Sequence, residues 1–455
     1  MSGILPLLLG HQWLAIAASL AAFMLLFAVV QLLARSGVVG PEGTRKMVHA
    51  GSGVLTLAFP FIFHDVWPVL LLTLSSASVL ALVKFVPALR RSMGRAVSGV
   101  NRTTLGEIYF PVSVAWLFWL THGQDPLLFV VPILMLTFAD ATCALVGLRY
   151  GLTKYEGASK SLEGSIAFIA VAFLCVHVPI LLWEPVGRLE ALLIAATLAL
   201  VVMLLEGSAW RGLDNLFIPL GGYFLLRVYL TLDAGQLAAR LAVTTALVVF
   251  ILAERKRTTL EDDSLVAGAF LSYLAWALMG WRWIVPPFVI FIAYKWLSPV
   301  TADNSRRMHG VPAVLSVWAP AIGWLVLAHG LADRSLLFPY TLAFAAHLAM
   351  FGISRLAYQY SSRPLTPLVG RAVVVSWAFV LVPYVVTAGL GAGAWLPLVA
   401  AIPAVLAGTL VFVATQPDIR HARQDPRRWV VQSATATLAS VAGWAAWTAM
   451  MKVIG

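Results

Sequence analysis

Charge is what this chain has least of. Asp, Glu, Lys and Arg make up only 11% of its 455 residues, with 20 acids against 31 bases. Soluble domains carry roughly 25% charged residues, so a water-soluble globule of this length is excluded. Cysteine is nearly absent as well: Cys143 and Cys175 both lie inside apolar stretches, which leaves no disulfide framework. The sequence has no low-complexity segment and no repeat of fixed period, which sets aside solenoids and disordered arrays. No small-residue cleavage site follows the first apolar stretch and further stretches come after it, so it reads as a retained helix rather than a signal peptide.

Apolar residues fill the space that charge leaves. They form 61% of the chain, in runs of about 17–25 residues, each long enough to cross a bilayer core. Trp67, Trp183, Trp281, Trp283 and Trp429 stand at run ends, where interfacial anchors collect. Counting runs from about 12–33 and 48–64 through to about 430–451 predicts an all-α, polytopic transmembrane helical bundle with about 15–16 membrane spans.

The net charge of +11 would suit a nucleic-acid binder if it formed a patch. It is instead sorted by loop. Loops after odd-numbered spans hold Arg35, Arg45, Lys46, the Arg90–Arg102 group, Arg149, Lys154, Lys160, Arg211, the 254–257 run and the later Arg306, Arg363, Arg420 and Arg428. The other side holds Arg188, Arg227, Arg240, Arg282, Arg334 and Lys452. The positive-inside rule makes the first side cytoplasmic and the N-terminus external, with no nucleic-acid partner implied. Residues 1–235 carry the mixed polar loops and an acid inside a span, whereas the spans of 236–455 hold no acid. Two domains are expected, with the boundary near 234–236.

Asp140 is the most informative residue. It lies about 13 Å along a helix from Arg149 at the cytoplasmic end, at a depth where an ionisable group needs a partner or a wet cavity. A structural Asp bonded to a neighbouring helix is the plainer alternative. Gly147 and Gly151 follow, opening a tight loop that ends Lys160-Ser161-Leu162-Glu163-Gly164-Ser165. Ser159 or Ser161 can cap the next helix, whose free N–H groups with Lys160 would cradle a phosphate. Carboxylates at Asp140 or Glu163 can hold Mg²⁺, which takes one or two carboxylates plus substrate phosphates. Upstream, Arg45 and His49 share a helical face with Lys46 beside them, a set suited to a polyphosphate, with His49 a candidate base. Snorkelling to the interface would explain the two cations but not His49. Arg102 and Glu107 precede another span, and Asp214-Asn215 opens one after Glu206, as metal or ribose ligands or simply as a helix cap. All these groups fall on the same side of the predicted topology, where a soluble nucleotide can meet a lipid.

Taken together, Arg45-Lys46-x-x-His49-x-x-x-Gly53, Arg102-x-Thr104-x-Gly106-Glu107, Asp140…Gly151, Lys160-Ser161-x-Glu163-Gly164-Ser165 and Glu206…Asp214-Asn215-x-x-x-Pro219 resemble the dolichol kinase/phytol kinase family, over about 40–235 and in that family's order. The resemblance implies a CTP-dependent phosphotransferase that phosphorylates an isoprenoid alcohol, using Mg²⁺, with both substrates meeting at the cytoplasmic membrane face. It implies that Asp140, Lys160, Glu163 and His49 are catalytic. It further implies nucleotide and substrate contacts from Arg45, Lys46, Arg102, Glu107, Gly151, Ser161, Gly164 and Asn215, and metal contacts from Asp140 and Asp214. Phosphatidate cytidylyltransferases share the Asp140-to-Gly164 stretch, so CDP-lipid synthesis is the first alternative, although their C-terminal Lys-Asp and Gly-His-Gly-Gly signature is missing. A transporter using Asp140 as an ion relay is the second. Residues 236–455 are expected to form a further membrane domain, non-catalytic or holding the prenyl chain. The part around 258–299 resembles a membrane family that includes phytyl-phosphate kinases, but Ala345-Ala346-His347 stands where an acid would be required.

Overall fold

The computed structural model describes residues 11–37, 39–86, 105–156, 160–297, 309–389, 395–416, 418–420 and 426–454. Arg90, Arg91, Arg95, Arg102 and Ser159 lie outside them. The described secondary structure is helical, apart from two isolated bridges, Lys154 with Ser161 and Leu260 with His309. The chain divides into two compact units, Met1–Ala246 and Leu247–Gly455.

In the first unit the helices are α1 (Gln12–Arg35), α2 (Pro41–Thr56), α3 (Val66–Phe85), α4 (Gly106–Thr121), α5 (Leu127–Tyr150), α6 (Leu162–Trp183), α7 (Arg188–Ser208), α8 (Asp214–Tyr229) and the start of α9 (Ala234–Glu254). The second unit holds the rest of α9, then α10 (Asp262–Met279), α11 (Val285–Leu297), α12 (Val311–Leu331), α13 (Leu337–Gln359), α14 (Leu365–Ala388), α15 (Trp395–Thr415) and α16 (Pro426–Ile454). The apolar stretches of the sequence correspond in order to α1–α16. Ten of these helices are long and apolar enough to cross a membrane: α1, α3, α5, α6, α7, α9, α12, α13 with the turn before it, α14 and α15. The protein is an integral, multi-pass membrane protein.

The helices outside that set are informative. α2, α4 and α8 have 16 residues each, about 24 Å at 1.5 Å per residue, short of a ~30 Å hydrocarbon core. Each carries polar residues singled out above: Arg45 and Lys46 in the second turn of α2, Glu107 in the first turn of α4, Asp214 and Asn215 at the start of α8. The stretch around 48–64 is broken after α2, where Pro60 helps to open a separate turn, Phe59–Ile62.

Within the first unit α6 packs between α5 and α7, α8 lies against α4, α5 and α7, and α2 reaches from α1 to the middle of α5. α5 and α7 are the most enclosed of the unit's candidate spans, each 67% buried over its apolar window. Asp140 on α5 and Glu206 on α7 are both buried in protein. α5 is not regular: Pro132 is followed by a π-helical turn, Met135–Ala139, and the α-helix resumes at Asp140. Proline cannot donate its share of the ladder, and an i→i+5 turn inserts one residue into the helical phase. α2 packs directly on this turn. A Cβ on Gly53 would overlap the Thr137 hydroxyl, so only glycine lets the two helices approach this closely.

The second unit is built around α13, whose window is 94% buried and which packs on α11, α12, α14, α15 and α16. Ala343, Ala345, Ala346 and Ala349 keep its surface small enough for that number of neighbours. Polar side chains tie the bundle across helices: Trp324 Nε1 donates to Ser440 Oγ at 2.8 Å, and Tyr340 Oη to the Trp283 carbonyl at 2.9 Å.

Candidate active site

The site starts where α2 meets the π turn. Lys46 and His49 are three residues apart on α2 and share a face. Lys46 Nζ lies 2.8 Å from Asp140 Oδ2. His49 Nε2 lies 3.4 Å from the same oxygen and 3.1 Å from the Leu136 carbonyl, with the Phe110 ring edge-on at 5.3 Å. Lys46 is 6% and Asp140 5% exposed, so the ion pair is inside the protein. Both neighbours of Nε2 are acceptors, which requires a proton on Nε2 and leaves Nδ1 as the basic nitrogen of a neutral ring. Sequence spacing set Arg45 beside His49. In the structure Arg45 turns to the surface and pairs with Glu42 at 2.6 Å, and Lys46 takes the inward position.

A second group forms between α5, α6 and α7. Residues 153–155 pair with 160–162: Tyr155 N donates to the Lys160 carbonyl and Leu162 N to the Thr153 carbonyl, each at 2.9 Å. Ser161 caps α6, its Oγ accepting from Gly164 N at 3.2 Å. Gly164 lies against the preceding helix, where a Cβ would stand 2.9 Å from the Cys143 carbonyl, and a Cβ on Gly151 would meet Ser161 Oγ at 2.7 Å. These residues shape the loop. Glu163 belongs with them, since its carboxylate accepts the Thr153 N–H at 2.9 Å. Lys160 is thereby delivered to α7, where Nζ pairs with Glu206 Oε1 at 2.9 Å and also donates to the Glu206 carbonyl. Burial alone would lower the Lys160 pKa, but the Glu206 and Asp214 carboxylates hold it above the ordinary lysine value.

The third group joins α4 to α8. Asn215 is buried and donates Nδ2–H to the Gly106 carbonyl at 2.8 Å, and Leu105 N donates to the Arg211 carbonyl at 3.1 Å. Gly212 has φ +89°, and a Cβ there would stand 2.6 Å from Gly106 Cα. Both the left-handed backbone and the close approach call for glycine. Asp214 Oδ1 accepts the Asn215 N–H at 3.1 Å, and its charge acts on Arg45, His49, Lys160 and Glu206. Glu107 stands beside Lys84 at 3.7 Å.

Of the residues expected from sequence, the structure brings Lys46, His49 and Asp140 into contact and sets Lys160 and Asp214 within their electrostatic reach. Gly151, Ser161, Glu163, Gly164 and Asn215 hold the loops and helix starts around them. Arg102 lies outside the described residues. Glu206 was read in the motif but given no role. It is 3% exposed and the partner of Lys160, and an acid at the end of an apolar run was the available signal. Among the described residues no three His, Cys, Asp or Glu side chains are gathered to hold a metal ion.

Comparison with known proteins bears on this arrangement. A phytol kinase from Synechocystis sp. is 28% identical over 213 residues, 46% of this chain and 88% of that protein. A dolichol kinase from Saccharomyces cerevisiae is 29% identical over 114 residues, 24% of this chain and 22% of that protein. Over less than half of its length the chain is thus similar to polyprenol kinases. No family model matches it, and no solved structure matches it significantly. Of the charged residues of the site, Lys160, Glu206 and Asp214 lie at or beside helix ends, Asp140 on the turn that follows the break in α5, and Lys46 inside α2.

Proposed function

We propose that the protein is a CTP-dependent lipid kinase that phosphorylates an isoprenoid alcohol at the cytoplasmic membrane face. The buried Lys46–Asp140–His49 contact carries this reading. A membrane protein buries an acid against a lysine and an imidazole at a cost, and phosphoryl transfer is a reaction that uses all three. Its relation to phytol and dolichol kinases supports the substrate class. The cytoplasmic side and an external N-terminus follow from the sorting of basic residues in the sequence when α2, α4 and α8 are counted among sixteen crossings.

In this reading Lys46, Arg45 and Lys160 meet phosphate oxygens, and the α6 N-terminus behind Ser161 adds backbone N–H donors. Arg102 and Glu107 complete the nucleotide side. Asp140 and Asp214 offer hard carboxylate oxygens, the donor type Mg²⁺ takes in ones and twos when substrate phosphates supply the rest. Bound Mg²⁺ would neutralise charge on the phosphates. His49 holds its Nε2 proton against Leu136 O and Asp140, so Nδ1 is the atom available to receive the alcohol proton as the alcohol oxygen bonds to phosphorus and the phosphoanhydride bond breaks. The second unit, Leu247–Gly455, holds none of these residues and serves as a further membrane domain.

The test uses purified protein, Mg²⁺, γ-labelled CTP and a panel of prenols. Label recovered in a lipid monophosphate establishes the kinase and names the alcohol. Lipid labelled only from α-labelled CTP would replace this reading with CDP-lipid synthesis.

A further inference from the structure

The Lys160–Glu206 pair is unfinished. Lys160 Nζ donates to Glu206 Oε1 at 2.9 Å and to the Glu206 carbonyl, which anchors it at the C-terminal turn of α7, the end of a helix that favours a cation. The other carboxylate oxygen, Oε2, is buried and meets no donor among the described residues. Burying an ionised oxygen without a partner is costly, and a purely structural ion pair would satisfy both oxygens. The lysine meanwhile spends its charge on Glu206 and cannot also neutralise a phosphate. Asp140 and Asp214 lie close enough for their charges to act on Glu206 as well.

We propose that Lys160 and Glu206 form a latch that nucleotide opens. In the nucleotide-free protein Lys160 occupies the carboxylate of Glu206. When a nucleoside polyphosphate arrives, Lys160 moves to its phosphate oxygens and the freed Glu206 carboxylate receives the divalent cation that accompanies it. The exchange breaks no covalent bond: one ammonium leaves the carboxylate, a divalent cation replaces it, and the phosphates gain the ammonium. Lysine suits this role because its charge sits on a flexible stem. Lys160 stands immediately before the Ser161 cap, so a short swing takes it from α7 towards the N–H groups that open α6. Nucleotide and cation then bind with positive coupling that passes through Glu206. This inference rests on the nucleotide-site reading above.

Calorimetric titration of the full-length protein with CTP, in detergent and without lipid alcohol, tests it. Wild-type protein should bind CTP about tenfold or more tightly with Mg²⁺ than without. Glu206→Gln releases Lys160, so Mg²⁺-free CTP binding should strengthen and the Mg²⁺ effect should fall to about half the wild-type value or less, Asp140 and Asp214 still offering carboxylates to the cation. An undiminished Mg²⁺ effect in Glu206→Gln overturns the latch. Lys160→Gln gives an independent reading should Glu206→Gln not fold. With the ammonium gone, Mn²⁺ alone should bind about tenfold more tightly than to wild type, followed by electron paramagnetic resonance. Equal Mn²⁺ affinities overturn the latch as well. Wild-type protein that melts cooperatively yet binds no CTP under any condition overturns the nucleotide-site reading itself, and the latch with it.

Discussion

Replacing Asp140 with Asn keeps the side-chain shape and removes the one negative charge that Lys46 and His49 share. Lys46 Nζ is 2.8 Å from that carboxylate in a side chain 6% exposed, so it cannot rehydrate where it stands. Stranding one member of a buried pair costs about 3–5 kcal/mol, whereas replacing both members is often close to neutral. Asp140→Asn and Lys46→Met should therefore each destabilise the protein by about 3–5 kcal/mol. The double substitution strands no charge and should cost less than either alone, a coupling of about 3 kcal/mol or more. Equilibrium unfolding in mixed micelles, read by tryptophan fluorescence, measures the cycle. Phosphate transfer to a prenol, measured in parallel, should be lost in all three variants, including the double variant whose stability is restored. Additive losses in the cycle would refute the pairing. Wild-type turnover by Asp140→Asn would remove Asp140 from the reaction.

Gly53→Ala should push α2 off the π turn at a cost of about 1–3 kcal/mol and reduce activity, because Lys46 and His49 travel with that helix. Thr137→Ala should recover part of both losses, read by thermal melting and turnover. Gly212→Ala meets a left-handed backbone and Gly106 Cα together, and should lose about 1–3 kcal/mol in the same unfolding assay. Ser161→Ala removes the α6 cap, for about 0.5–2 kcal/mol, and should speed proteolysis within 151–161, with Ser161→Asp restoring resistance.

Much of the helical order can be read from hydropathy alone, since a membrane core admits little besides helices where apolar runs exceed ~17 residues. The short polar helices are harder. The stretch read as starting near residue 48 belongs to a helix that begins at Pro41, so Lys46 and His49 are mid-helix rather than at its entry. Their polar first turns carry no apolar signal to mark the start. Asp140 stood out because a carboxylate in an apolar run demands a partner. That partner was ambiguous, because Arg45, Lys46 and His49 are each within a turn of one another and only packing selects the inward pair. Glu206 closes an apolar run as an interfacial acid would, and only its burial against Lys160 separates it from one. Glu163, equally prominent in the motif, proves to brace the Thr153 backbone.

The π turn at Met135–Ala139 leaves no trace in composition or periodicity, yet it fixes which way Asp140 looks. Winding the same residues as an ordinary α-helix would keep the hydropathy and the ability to insert in the membrane. It would also turn everything beyond by about 100°, taking the carboxylate away from Lys46 and His49. The aim of the reactive centre thus depends on one residue more than an α-helical turn holds. Among relatives of this protein, a chain one residue shorter between Pro132 and Asp140 would aim its acid the same way with no π turn at all.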